Sequence, residues 1–343
     1  MEMKVDRKAA IKKLRTLVIT PKSEVEPFRS KIEETFDTVF LPNHVERSEH
    51  DYGGVKCDIL VPEVYSSRRV MLYIHGGSFA GGSRDSWRAF CSSLAHASSS
   101  RVVVPELRLP PTHVYPAALE DLQTVFRMLF AEEQISMQIE DSKAEPEIVI
   151  AADGSGASLA VALLLKLRDR YRSCVQNLVL LSPWLDFTSD SPLIAGKRVA
   201  DEVMSGEALH RAVDLYTYAT NISNPLVSPL KAPVQNFIGF PPVYIQMGEK
   251  EILLEQAKQF AELLKEAAVE CTLDVWPKMM FMFQMADEYL SEPHLAVEKL
   301  GNYISARDED DIDVKAELMK KHNMDFQRIS TRQTTDKNQP QEL

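Results

Sequence analysis

Short runs of aliphatic and β-branched residues, apolar on both faces, recur along the chain between longer segments whose apolar positions repeat at helical spacing. The runs predict strands over residues 55–60, 70–74, 102–106, 148–152, 178–182, 243–247 and 272–276. A strand with no polar face belongs inside a sheet that is covered on both sides. The 3.6-residue repeat predicts helices over 87–97, 117–130, 158–171, 206–218, 253–268 and 294–305. Alternation of the two kinds of segment predicts an α/β fold with a mostly parallel central sheet flanked by helices.

The ends of the chain depart from this pattern. Residues 1–50 carry two charged helical stretches, 7–17 and 24–36, before the first strand, and read as a helical cap. The body then runs over 51–306, with a second cap segment inserted around 190–220. From 307 to 343 the chain opens with Asp308-Glu-Asp-Asp-Ile-Asp313 and ends in a polar Thr/Gln/Lys stretch, a composition that predicts a largely disordered tail.

Composition narrows the function. With 343 residues, 45% hydrophobic and 26% charged, the chain can bury a large core. A net charge of −11 argues against a nucleic-acid or anionic-membrane surface as partner. No apolar run reaches membrane-spanning length and the first residues are charged where a secretion signal is apolar, so a cytoplasmic location is expected. The four cysteines lack metal-site or disulfide spacing, and no motif calls for a metal or cofactor. A homo-oligomer remains compatible with all of this.

Five segments carry chemistry. In Tyr73-Ile-His-Gly-Gly-Ser-Phe79 a glycine pair follows a buried strand, which lets backbone N–H groups face a cavity. Next comes Arg108-Leu-Pro-Pro-Thr-His-Val-Tyr-Pro-Ala-Ala118, then a strand-to-helix turn in Ile150-Ala-Ala-Asp-Gly-Ser-Gly-Ala-Ser-Leu-Ala160. The last two are Gly248-Glu-Lys-Glu-Ile-Leu-Leu-Glu255 and Trp276-Pro-Lys-Met-Met-Phe-Met-Phe283.

Taken together, these segments resemble the hormone-sensitive-lipase branch of the α/β-hydrolases over roughly residues 25–305. The resemblance implies a carboxylic ester hydrolase, but its triad is degenerate here. In the family's elbow pattern, Gly-Asp-Ser-Ala-Gly-Gly-x-Leu-Ala, the register set by Leu159-Ala160 puts Gly154 in the place of the nucleophilic serine. The family's base, the histidine of Trp-Pro-x-Met-x-His-x-Phe, falls on Phe281, and its acid falls on Glu251. Ser155 is the alternative nucleophile, which would need a displaced base and would set Asp153 where a tight elbow requires a small residue. His294 reads as a surface residue at the start of the last helix.

Oxygen-binding donors depend on the backbone and can outlive the triad. The resemblance assigns that role to the motif of His75, Gly76, Gly77 and Ser78 and to the amide of Ser155. The His75–Phe79 segment is also similar to that of plant gibberellin receptors, which lack the catalytic histidine, keep the serine and bind a small carboxylated ligand under an N-terminal lid. The expectation is therefore a hydrolase body without its chemistry, with a pocket for a small acyl or carboxylate ligand or a partner. The alternative is a weak esterase working through Ser155.

Overall fold

The computed structural model describes residues 6–37, 41, 44–66, 69–140, 145–191 and 201–305. The predicted tail and residues 192–200 of the predicted second cap segment lie outside these.

Eight strands form one sheet: β1 (Glu46–Tyr52), β2 (Val55–Val61), β3 (Arg69–Ile74), β4 (Arg101–Pro105), β5 (Glu147–Asp153), β6 (Val175–Leu181), β7 (Val243–Gly248) and β8 (Cys271–Trp276). Their order is β1-β2-β4-β3-β5-β6-β7-β8. The first two pairings are antiparallel and the remainder parallel. Strands β3, β5 and β7 are almost wholly buried along their length, as expected of runs without a polar face.

Helix α1 (Arg7–Leu14) continues into a 3₁₀ turn at Arg15–Leu17 and is followed by α2 (Val25–Phe36). Then come α3 (Arg84–Ala97), α4 (Ala117–Glu140), α5 (Gly156–Lys166), the single turn α6 (Asp169–Arg172), α7 (Gly206–Tyr216), α8 (Leu254–Glu266) and α9 (residues 292–305). Helix α3 packs on β2 and β4, α5 on β3, β5 and β6, and α8 on β7 and β8. The helical N-terminal cap lies against α3 through α2, and Lys13 pairs with Glu288 at 3.3 Å.

Three elements differ from the sequence expectation. Strand β1 falls in the stretch that sequence patterning assigns to the cap; its first six residues are all exposed, so it has no apolar face to announce it. It forms because Gly53 and Gly54, at φ +67° and +92°, turn the chain back onto β2 in full register from Glu46↔Val61 to Tyr52↔Val55. Residues 46–50, which sequence patterning assigns to the cap, are thus part of the sheet. Helix α4 runs ten residues past its predicted end. The helix expected over 158–171 instead breaks after Lys166, where Leu167 turns extended at ψ 138° and stays buried.

Candidate functional site

The parallel strands end together, and the loops that follow them build the site. After β5 the chain turns at Gly154, whose φ of +48° is the left-handed conformation that glycine adopts without a Cβ penalty. Its N–H donates to the Leu181 carbonyl at 3.0 Å, and its own carbonyl accepts from Trp184 N–H at 3.0 Å, so the turn is tied to the loop after β6. Two residues on, a Cβ at Gly156 would collide with the backbone carbonyls of Ile74 and His75. Only glycine lets α5 start this close to β3.

The loop after β3 lies against this turn. Phe79 N–H donates to Ser155 Oγ at 2.8 Å, and Gly76 N–H donates to Asp153 Oδ1 at 3.1 Å. Asp153 Oδ1 also accepts from Tyr73 Oη at 2.8 Å and Trp87 Nε1 at 2.7 Å. Burial nevertheless pushes the Asp153 carboxyl up to about 7, against the pull of these three donors. His75 is fully buried, its Nδ1 lies 3.2 Å from the Gly76 carbonyl, and desolvation lowers it to about 4, so the imidazole is neutral at physiological pH. Among the described residues, the amides of Gly77, Ser78 and Ser155 make no hydrogen bond.

Ser78, at φ +56°, has a second task that sequence did not reveal. Its buried hydroxyl donates to the Leu17 carbonyl and accepts from Ile19 N–H, both at 3.1 Å, which pins the N-terminal cap to the loop. Ser78→Ala leaves both backbone groups unpaired in a dry environment and is expected to lower unfolding stability by about 1–3 kcal/mol. Faster amide hydrogen exchange over residues 17–19, with a lower Tm, is the measurement that checks it.

Phe281 sits on the loop after β8, between Lys278 at φ +64° and Met282 at φ +51°, and is 2% exposed. Its ring closes over the elbow. A Cβ placed on Gly154 would lie 3.3 Å from Phe281 Cζ and 3.8 Å from Trp184 Nε1. The two positions that the family motifs pair are thus direct neighbours in space.

Glu251 completes the constellation from the loop after β7. Its Oε1 accepts from Ser182 Oγ at 2.9 Å and from Gly248 N–H, while Oε2 is buried without a hydrogen-bond partner among the described residues. Ser182 Oγ in turn accepts from Met282 N–H at 3.1 Å, so one hydroxyl bridges the carboxyl to the backbone beside Phe281. Burial, and secondarily the Asp201 carboxylate, push Glu251 up to about 8 against the hydrogen bonds from Gly248 and Ser182. Ser182, itself at φ +47°, lies in a loop to which the sequence motifs give no role.

Aromatic rings cluster beside the elbow. Phe79 stacks on Tyr216 with centroids 4.0 Å apart and meets Phe187 edge-on at 5.5 Å, while Trp184 lies 6.2 Å from Phe281. Helix α7 delivers Tyr216 to this cluster; its role had no motif to signal it. Ser155 Oγ faces the Phe79 amide, and no histidine among the described residues is hydrogen-bonded to it. His294 is exposed near the start of α9. Among the described residues there is no group of three or more His, Cys, Asp or Glu able to hold a metal ion, and no helix is long and apolar enough to cross a membrane.

Comparison with known proteins places this arrangement. A family model described as alpha/beta hydrolase fold matches residues 71–285. An acetyl-hydrolase from Streptomyces hygroscopicus is 30% identical over 236 residues, 69% of this chain and 75% of that protein. An esterase from Acinetobacter venetianus is 31% identical over 246 residues, 71% of this chain and 77% of its own. Among solved structures, an esterase from the bacterial hormone-sensitive lipase family superposes with a TM-score of 0.76 at 27% identity, covering 87% of this chain and 96% of that one.

Proposed function

The chain belongs to the α/β-hydrolase fold family, with esterases among its relatives, and from that membership we propose that it has given up ester hydrolysis and keeps its pocket for binding. The ligand class is a small acyl- or carboxylate-bearing molecule, or a partner segment that presents one. Gly154 stands in the place of the nucleophile, Phe281 in that of the base, and Glu251 is an acid with no imidazole to orient.

The observation that carries this reading is the contact between Phe281 and Gly154. Two substitutions far apart in sequence face each other: a Cβ built on Gly154 would lie 3.3 Å from Phe281 Cζ, at the point where a serine side chain would begin and a histidine would receive its proton. Ser155 does not take over, because its oxygen accepts the Phe79 amide and no base is hydrogen-bonded to it. Loss of either nucleophile or base typically lowers turnover by about 10⁶, and the second loss adds little once the first is present. A reducing cytoplasm suits the chain, whose four cysteines are all free.

Two measurements test this. The protein is expected to release no p-nitrophenol from short esters above the rate of a Ser155→Ala control, and to take no label from a fluorophosphonate probe. Labelling mapped to Ser155 by peptide mass spectrometry would overturn the proposal.

A further inference from the structure

In a chain of net charge −11, the nine residues Arg7–Arg15 carry five basic side chains and no acidic one. Two of the five are paired: Arg7 with Glu202, and Lys13 with Glu288 at 3.3 Å. Arg15 is exposed and meets only a neutral group, its Nε donating to the Glu202 carbonyl at 2.8 Å. Lys8 and Lys12 are exposed and make no ion pair or hydrogen bond among the described residues. Spaced at i, i+4 and i+7, Lys8, Lys12 and Arg15 share one face of the helix.

That face is unfavourable as it stands. Like charges four residues apart repel along a helix. The first turn, where the helix dipole favours acids, holds Arg7 and Lys8 instead. An anionic partner removes both penalties. The other basic stretch, Lys166–Arg172, differs in containing Asp169, and its Arg170 and Arg172 are already bonded to Gln134, Ile238 and Leu167.

The chain itself supplies a matching anion. Asp308-Glu-Asp-Asp-Ile-Asp313 carries five acidic residues in six, equal in number and opposite in sign to the charges of Arg7–Arg15. It follows α9 by two residues, and α9 begins three residues after Tyr289, whose carbonyl accepts from Asp6 N–H at 3.0 Å at the foot of α1. At 1.5 Å per residue α9 is about 20 Å long, and residues 306–313 reach about 26 Å when extended. The acidic run is therefore long enough to return along α9 to α1. So short a tether holds the two at an effective concentration on the order of millimolar, which favours the chain's own tail over a second copy or an outside partner.

We propose that Asp308–Asp313 docks on the Lys8–Lys12–Arg15 face of α1 and ties the C-terminal tail to the N-terminal cap. The contact is electrostatic and salt-sensitive, because the basic groups are exposed. It restrains one end of a cap segment whose other end, at Leu17 and Ile19, is held by Ser78. It does not depend on whether the chain hydrolyses esters.

The test is carbodiimide cross-linking of the full-length protein, which joins a carboxylate to a lysine amine in contact with it, read by peptide mass spectrometry. An equal mixture of unlabelled and ¹⁵N-labelled protein separates links within one chain from links between copies. Links from Lys8 or Lys12 to residues 308–313 are expected within single chains. Their yield is expected to fall at least about fivefold at about 1 M NaCl, where exposed charges are screened beyond about 3 Å. Neutralising the run in D308N/E309Q/D310N/D311N/D313N is expected to speed amide hydrogen exchange over residues 11–15 about threefold and to leave α5, the report on folding, unchanged. Absence of the links, links only between copies, or unchanged exchange in the neutralised variant overturns the proposal. So do phosphatidylserine vesicles that bind parent and neutralised variant equally but not Lys8→Glu/Lys12→Glu, because the face would then be open to an outside partner.

Discussion

The double variant Gly154→Ser/Phe281→His is expected to hydrolyse short p-nitrophenyl esters, whereas either single variant stays at background. Nucleophile and base act as a unit, so restoring one without the other returns almost nothing. The surroundings of the two positions favour this outcome: α5 starts directly behind the turn, the amides of Gly77, Ser78 and Ser155 make no hydrogen bond among the described residues, and Glu251 Oε2 is buried with none. The Ser182 hydroxyl already links Glu251 to the backbone next to position 281, so an imidazole introduced there has an acid close by.

The expected gain in kcat/KM over either single variant is about 10³, less than the full value of a triad because a loop packed around phenylalanine aligns an imidazole imperfectly. Serine at a φ of +48° is expected to cost about 1–2 kcal/mol of stability. The Phe281 ring 3.3 Å from the new Cβ adds to that cost in the single serine variant, and the smaller imidazole relieves it. Initial rates on p-nitrophenyl acetate and butyrate, with circular dichroism to show that each variant folds, check the result. A folded double variant at background would mean that the aromatic wall excludes the ester even when the triad is complete.

The second large effect is on stability. Glu251 holds its proton up to about 8 in the folded chain against an ordinary value of 4.5, because burial penalises the carboxylate. Between those values the folded protein binds a proton that the unfolded chain has released, so stability is fully present below the lower value and falls as pH rises towards about 8. Asp153 acts in the same direction over a window ending near 7. Glu251→Gln keeps the shape and removes the ionisation. The variant is expected to match the parent in Tm near about pH 4 and to exceed it increasingly up to about pH 8.5. The stability difference there is a few kcal/mol, since each tenfold change in proton affinity between folded and unfolded chain is worth about 1.4 kcal/mol. Thermal melts of both proteins across that range decide it. Parallel pH profiles would show that Glu251 binds its proton equally well in the folded and unfolded chain.

Much of the architecture was legible because the core strands are apolar on both faces; β3, β5 and β7 need no tertiary information to be placed inside a parallel sheet. The polar edge strand β1 was not, since pairing to β2 and a two-glycine turn create it without any apolar alternation. Motif spacing singled out Gly154, Phe281 and Glu251 as candidates, and the fold brings Gly154 and Phe281 side by side. Ser182, Trp184 and Tyr216 were not singled out, because a hydroxyl bridge, an unpaired indole and a stacked ring arise only when separate loops converge.

Sequence alone determined the fold class and which residue types occupy the turn after β5, the loop after β3 and the loop after β8. Those follow from local periodicity and from fixed spacings along one strand and its turn. Tertiary structure decided that Phe281 lies over Gly154, that the Ser155 oxygen is taken by the Phe79 amide, and that Glu251 and Trp184 each bury a polar atom without a partner among the described residues. The reason is distance: contacts between residues about 70 to 130 positions apart depend on how the ends of parallel strands are brought together, and no local pattern encodes that.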